Sequence, residues 1–166
     1  WGARPKYFFG RVPPDVLYWF ADHRQYIFIL EAVAPCVVAW VAGKLLSRHA
    51  IMFCDNSAAQ HALIRGASRD KACNLLTALF WAAATVHGFS PWVERVSSGD
   101  NISDEVSRGS FETAEKLGWK LLHMDLSPMW SALLALVQNP LNLEAPVISE
   151  FLNTALDCLP GCGDGE

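Results

Sequence analysis

Apolar positions along this chain fall into short blocks, and the spacing inside each block differs. Lys6–Phe9 and Val16–Phe20 are brief aromatic-rich runs separated by Gly10-Arg-Val-Pro-Pro14, the pattern of strand, turn and strand. From Leu30 to Leu46 apolar residues recur at 33, 37, 40 and 41, a helical stripe. Proline is tolerated in the first turn of a helix, so Pro35 sets the expected start near Leu30, with Glu31 at the amino end. Ala50–Cys54 is an unbroken apolar run, which reads as a strand buried on both faces. It stops at Asp55-Asn56. Asn56–Ile64 then reads as a short helix closed by Arg65-Gly66, and Arg69–Val86 as a long one ended by Gly88. Phe89–Val96 is a further strand, placed at an edge by Pro91. Ser97–Ser103 is a polar loop, and Ser103-Asp104-Glu105 can cap and open a last short helix.

The resulting order, β-β-α-β-α-α-β-α, predicts an α/β fold: an initial hairpin in a mixed sheet flanked by helices. From Arg108 the character changes. Phe111–Leu122, Ser127–Val137 and Ala145–Leu156 read as helices, the last two split by Asn139-Pro140, and the tail GCGDGE reads as loose. The expected division is one domain over 1–108 and an acidic, mostly helical extension over 109–166.

Composition supports a packed core. Hydrophobic residues make up 52% of the chain, with seven Trp and nine Phe, which excludes global disorder. The net charge of −4 hides a split: residues 1–108 hold 11 Lys and Arg against 9 Asp and Glu, and residues 109–166 hold 2 against 8. A mildly basic body is compatible with a polyanionic partner. Cys36, Cys54 and Cys73 lie in apolar runs and read as small buried hydrophobes; Cys158 and Cys162 could close a small loop or touch a metal. An odd set of five cysteines without framework spacing fits a reducing, intracellular setting. Tyr26–Gly43 and Ala72–Trp92 approach the length of a membrane span, but Glu31, Pro35 and Asn74 argue for no membrane. The chain starts at Trp1 without a secretory leader, so it is expected to be part of a longer protein.

Three acids sit where core-forming segments start or stop: Glu31, Asp55 and Asp104. Each has a structural explanation, in a helix dipole, a strand end and a helix cap respectively. Brought together, they would form an all-oxygen site for a hard cation such as Mg²⁺ or Mn²⁺. Two such ions about 3.5–4 Å apart can activate a water and stabilise the leaving oxygen in phosphodiester cleavage.

The segments ILEAVA (29–34), FCDNSAA (53–59) and ERVSSGDNISDEVSR (94–108) resemble the ribonuclease H domain of retroelement reverse transcriptases of the DIRS and gypsy-like groups. The resemblance covers residues 1–108 in order. It implies cleavage of the RNA strand of an RNA–DNA hybrid, with Mg²⁺ held by four acidic residues and a reverse transcriptase domain upstream in the same polyprotein. Glu31, Asp55 and Asp104 match three of the four. The fourth would lie on a first strand upstream of the hairpin, which this chain is expected to lack; Asp15 and Asp22 do not match it. Ser97 and Ser103 depart from the family's usual Pro and Ala, and Asp100 competes with Asp104 for the last acidic position.

Substrate contacts are expected from Asn56 and Gln60, one helical turn apart, and from Arg65, Arg69 and Lys71 around Gly66-Ala-Ser68, a basic turn suited to phosphates. Recognition of a hybrid rests on shape and 2′-hydroxyls more than on bases. Arg95 and Arg108 either steer phosphates or pair with Glu94 and Glu105. Trp40, Trp81 and Trp92 are read as core. The five scattered histidines receive no role. The alternative to an enzyme is a degenerate module of the same fold that binds nucleic acid or protein without catalysis.

Overall fold

The computed structural model describes residues 5–21, 26–138 and 144–160. Asp22, the Asn139-Pro140 break, Cys162 and the tail lie outside them.

The first departure from expectation is at Val16–Phe20. Pro14 and Asp15 stand in the first turn of a helix, α1 (Pro14–Ala21). Proline is preorganised for a first helical position and an acid suits the positive end of the helix dipole. Val16 and Phe20, one turn apart, are both fully buried, while Leu17 and Tyr18 are exposed. The alternation read as a strand is therefore one face of a helix. No hairpin forms: β1 (Lys6–Tyr7) pairs in parallel with β4 (Lys120–Leu121). That pairing also replaces the helix expected over Phe111–Leu122 by a short helix, α6 (Glu112–Lys116), and a strand.

The helix α2 (Tyr26–Ala42) starts earlier than Pro35 suggested and carries that proline in its interior. Its buried residues spread around much of the helix, from Ile29 to Val41. The stretch Tyr26–Leu45 has the length and composition of a membrane span, yet α2 packs against α1 and against three helices further along the chain, α3 (Ser57–Arg65), α4 (Lys71–His87) and α8 (Ala145–Leu156). A 3-10 turn, Gly43–Leu45, leads into β2 (His49–Cys54).

Strand β2 pairs in parallel with β3 (Ser90–Arg95), in the register Ile51 opposite Trp92 and Cys54 opposite Arg95. A parallel pair needs a crossover, supplied here by α3 (Ser57–Arg65) and α4 (Lys71–His87). The expectation that β2 is buried on both faces fails. Ala50, Met52 and Cys54 are buried, whereas Ile51 and Phe53 are 66% and 62% exposed, because the helices cover one face of the pair only. Trp92, on the same outer face, is 66% exposed, and Trp81 is partly exposed; of the three tryptophans only Trp40 lies wholly in the core.

Caps and chain reversals follow local chemistry. Asn56 accepts from the backbone N–H groups of Ala58 and Ala59 to open α3, and Asp70 accepts from Cys73 to open α4. Gly66 and Gly88 close these helices in the left-handed region, where glycine carries no Cβ penalty. The Trp81 indole N–H donates to the Leu63 carbonyl at 2.8 Å, satisfying an acceptor in the last turn of α3.

After β3 come a polar loop, α5 (Ile102–Ser107), α6, β4, α7 (Ser127–Gln138) and α8 (Ala145–Leu156). One apolar cluster runs across position 109 and joins Trp40, Phe80 and Leu76 to Met129, Leu133, Phe151 and Leu152. Trp40 meets Phe151 edge-on, with ring centroids 5.1 Å apart.

Candidate active site

Parallel pairing decides where the acids meet. The chain leaves β2 and β3 at the same end of the sheet, so Asp55 after one strand and the 97–101 loop after the other emerge side by side. Asn101 in that loop donates its side-chain amide to Asp55 Oδ2 at 3.2 Å, and its Oδ1 caps α5 by accepting from the Ser103 backbone N–H. The cap of α5 is thus Asn101, not Ser103. The capped helix carries Asp104 in its first turn.

Glu31 reaches the same place from α2. It is not at the amino end of its helix, as expected, but in the second turn. Pro35, four residues on, has no N–H to return to the Glu31 carbonyl, so the proline perturbs the helix at this acid. The Glu31 carboxyl is pushed above the usual carboxylate range. Burial is the main cause, followed by the charge of Asp55, a side-chain hydrogen bond with Asp55 and the charge of Asp104.

All three acids are half-buried. Their oxygens fit a hard divalent ion, which takes carboxylates and water. Among the described residues, no three His, Cys, Asp or Glu side chains are gathered closely enough to encircle an ion as they stand. Asp104 is turned toward Arg108, which contacts it at 2.9 Å through one guanidinium nitrogen and 3.2 Å through Nε. Arg108 therefore pairs with Asp104 rather than Glu105. Arg95 meets Glu94 only through its backbone N–H, at 2.9 Å. Asp100 accepts a hydrogen bond from the Ser97 hydroxyl.

The expected substrate contacts separate into two groups. Asn56 and Gln60 do not present a shared polar face: the Asn56 side-chain oxygen is used as a cap, and the Gln60 amide donates to the Val93 carbonyl at 3.3 Å. Arg65 and Arg69 are exposed and line an open groove of about 540 Å³ with Phe28, His61 and Ser68; Asp70 also lines it, and Lys71 does not. The groove is basic on balance and suited to a phosphate backbone.

Sequence reasoning assigned Asn101 no role of its own. Its signal was local: an Asn immediately before Ile-Ser-Asp-Glu is a strong cap. The contact with Asp55, 46 residues away, had no local signal. No family model matches the chain, and neither a curated protein nor a solved structure matches it.

Proposed function

We propose that this chain is a ribonuclease H-like domain of a retroelement reverse transcriptase, cleaving the RNA strand of RNA–DNA hybrids with a divalent metal ion. The observation that carries this reading is that Asn101 joins Asp55, at a strand end, to the helix that carries Asp104, at the carboxyl end of a parallel strand pair, with Glu31 of a second helix close enough to feel both charges. When bound, Mg²⁺ or Mn²⁺ would supply an activated water and stabilise the leaving oxygen. Glu31, Asp55 and Asp104 would hold it. Arg108 would release Asp104 for that purpose, and Arg65 and Arg69 would take backbone phosphates of the hybrid.

The fourth acid of such a site would come from a first strand. Among the described residues β2 pairs only with β3, so its other edge is free, and the outer face with Ile51, Phe53 and Trp92 is bare where parallel strands are usually covered. In this reading that strand belongs to the same ribonuclease H-like domain and precedes residues 1–108 in a longer polypeptide that also carries a reverse transcriptase domain, and a reducing intracellular setting agrees with the free thiols of Cys36, Cys54, Cys73 and Cys158.

The second reading, a degenerate module that binds nucleic acid or protein without cleaving, is favoured by one observation: Asp104 is already engaged in an ion pair with Arg108. A longer polypeptide that includes the sequence before Trp1, assayed on a labelled hybrid with Mg²⁺ or Mn²⁺, separates the two. Cleavage of the RNA strand that disappears in Asp55→Asn supports the enzyme. Hybrid binding without turnover supports the module.

A further inference from the structure

Asn101 does two things with one amide. Oδ1 accepts from the Ser103 backbone N–H at 3.2 Å and from the Ser103 hydroxyl at 2.6 Å, while Nδ2 donates to Asp55 Oδ2 at 3.2 Å. The orientation follows from chemistry. A backbone N–H can only donate and an ionised carboxylate can only accept, so exchanging the amide oxygen and nitrogen would break both contacts. Capping α5 needs the oxygen alone. The nitrogen reaches back to the end of β2 and ties the element that carries Asp104 to the residue that follows the strand.

We infer that Asn101 is a positioning residue, whose side-chain amide fixes the Asp55 carboxylate relative to α5 and Asp104. Asp55 stands among like charges, since both it and Asp104 act on Glu31. The amide donor holds the Asp55 carboxylate toward α5 without adding charge. Hydrogen-bond partners that orient metal ligands act in this way, and losing one typically weakens metal binding by about 10–100-fold. The consequence for catalysis rests on the nuclease reading above, whereas the geometric role does not.

The test exploits the near-equality of Asn, Asp and Ser as helix caps. Asn101→Asp and Asn101→Ser keep α5 capped, but the first cannot donate to Asp55 and the second is too short to reach it. The expected result in both is an unchanged set of backbone amide resonances within α5 and a displaced carbon-13 resonance of the Asp55 carboxyl group, and in Asn101→Ser, which adds no carboxylate, Mn²⁺ bound about tenfold more weakly. Conversely, Asp55→Ala should displace the Asn101 side-chain amide resonances and leave the Ser103 backbone amide in place. The carbon-13 and amide readings decide the matter without any metal. An Asp55 resonance unmoved in both Asn101 variants, or Asn101 amide signals unmoved in Asp55→Ala, would reduce Asn101 to a cap and overturn the inference. Should the longer polypeptide cleave no hybrid while these resonances move as expected, the nuclease reading fails and the assignment of Asn101 stands.

Discussion

Gly43 opens the 3-10 turn that joins α2 to β2. A Cβ added there would lie 2.3 Å from His87 Cδ2, 2.9 Å from Cγ and 3.3 Å from the His87 Cβ. Carbon atoms in good contact sit at about 3.5–4.0 Å, so the imidazole would have to move by about 1 Å. His87 is the last residue of α4, and neither ring nitrogen has a hydrogen-bond partner among the described residues, so the ring is held by packing alone. Overpacking of this kind costs about 1–3 kcal/mol. The backbone at Gly43 is not in the left-handed region, so an alanine also stiffens the unfolded chain and returns about 0.4–1 kcal/mol. Gly43→Ala should therefore destabilise by roughly 1–2 kcal/mol, a melting point lower by about 2–8 °C at this chain length. In a His87→Ala background the obstructing ring is gone, and the same substitution should become neutral or stabilising. Urea denaturation of the four proteins of this cycle measures both. Equal destabilisation by Gly43→Ala with and without the imidazole would refute the steric reasoning.

Three further outcomes are expected. Burial, and then the charge of Lys44, hold the His87 imidazole below its ordinary value of 6.5. Below that pH the unfolded chain binds more protons than the folded one, so the stability held by neutral His87 is present above pH 6.5 and is lost as pH falls toward the folded value; urea midpoints should fall less between pH 7.5 and 5.5 in His87→Ala than in the wild type. The Glu31 carboxyl is raised, so the stability of its protonated form is full below the ordinary value of 4.5 and is lost as pH rises through the folded value. Without divalent ions, Glu31→Gln should thus melt higher than the wild type at pH 7 and show no gain at pH 4; a lower melting point at pH 7 would contradict the crowding of charge at this site. Asn56→Ala removes the acceptor for the Ala58 and Ala59 N–H groups at 2.9 and 3.1 Å and should cost about 1 kcal/mol in a denaturant titration.

What the sequence by itself determined is local. Gly66 and Gly88 as helix ends and the strand that stops at Asp55 were legible in this way, and the caps Asn56 and Asp70, which the sequence reading placed inside their helices, are likewise set by side chains acting within four residues of themselves. Those interactions have a fixed spacing along the chain, so the spacing reveals them. The aromatic run at Val16–Phe20 misled because five residues hold too little periodicity to separate a strand from a helix face, and the proline-acid start carried the better signal. Tertiary structure alone decided that β1 would find β4, that β2 and β3 would run parallel with one face bare, that Asn101 would reach Asp55, and that Glu31 would enter the site from the interior of a helix. These contacts join segments tens of residues apart. Nothing within a short stretch of chain encodes them; they follow from which apolar faces bury each other, and the crossover through α3 and α4 then brings the ends of β2 and β3 to one edge.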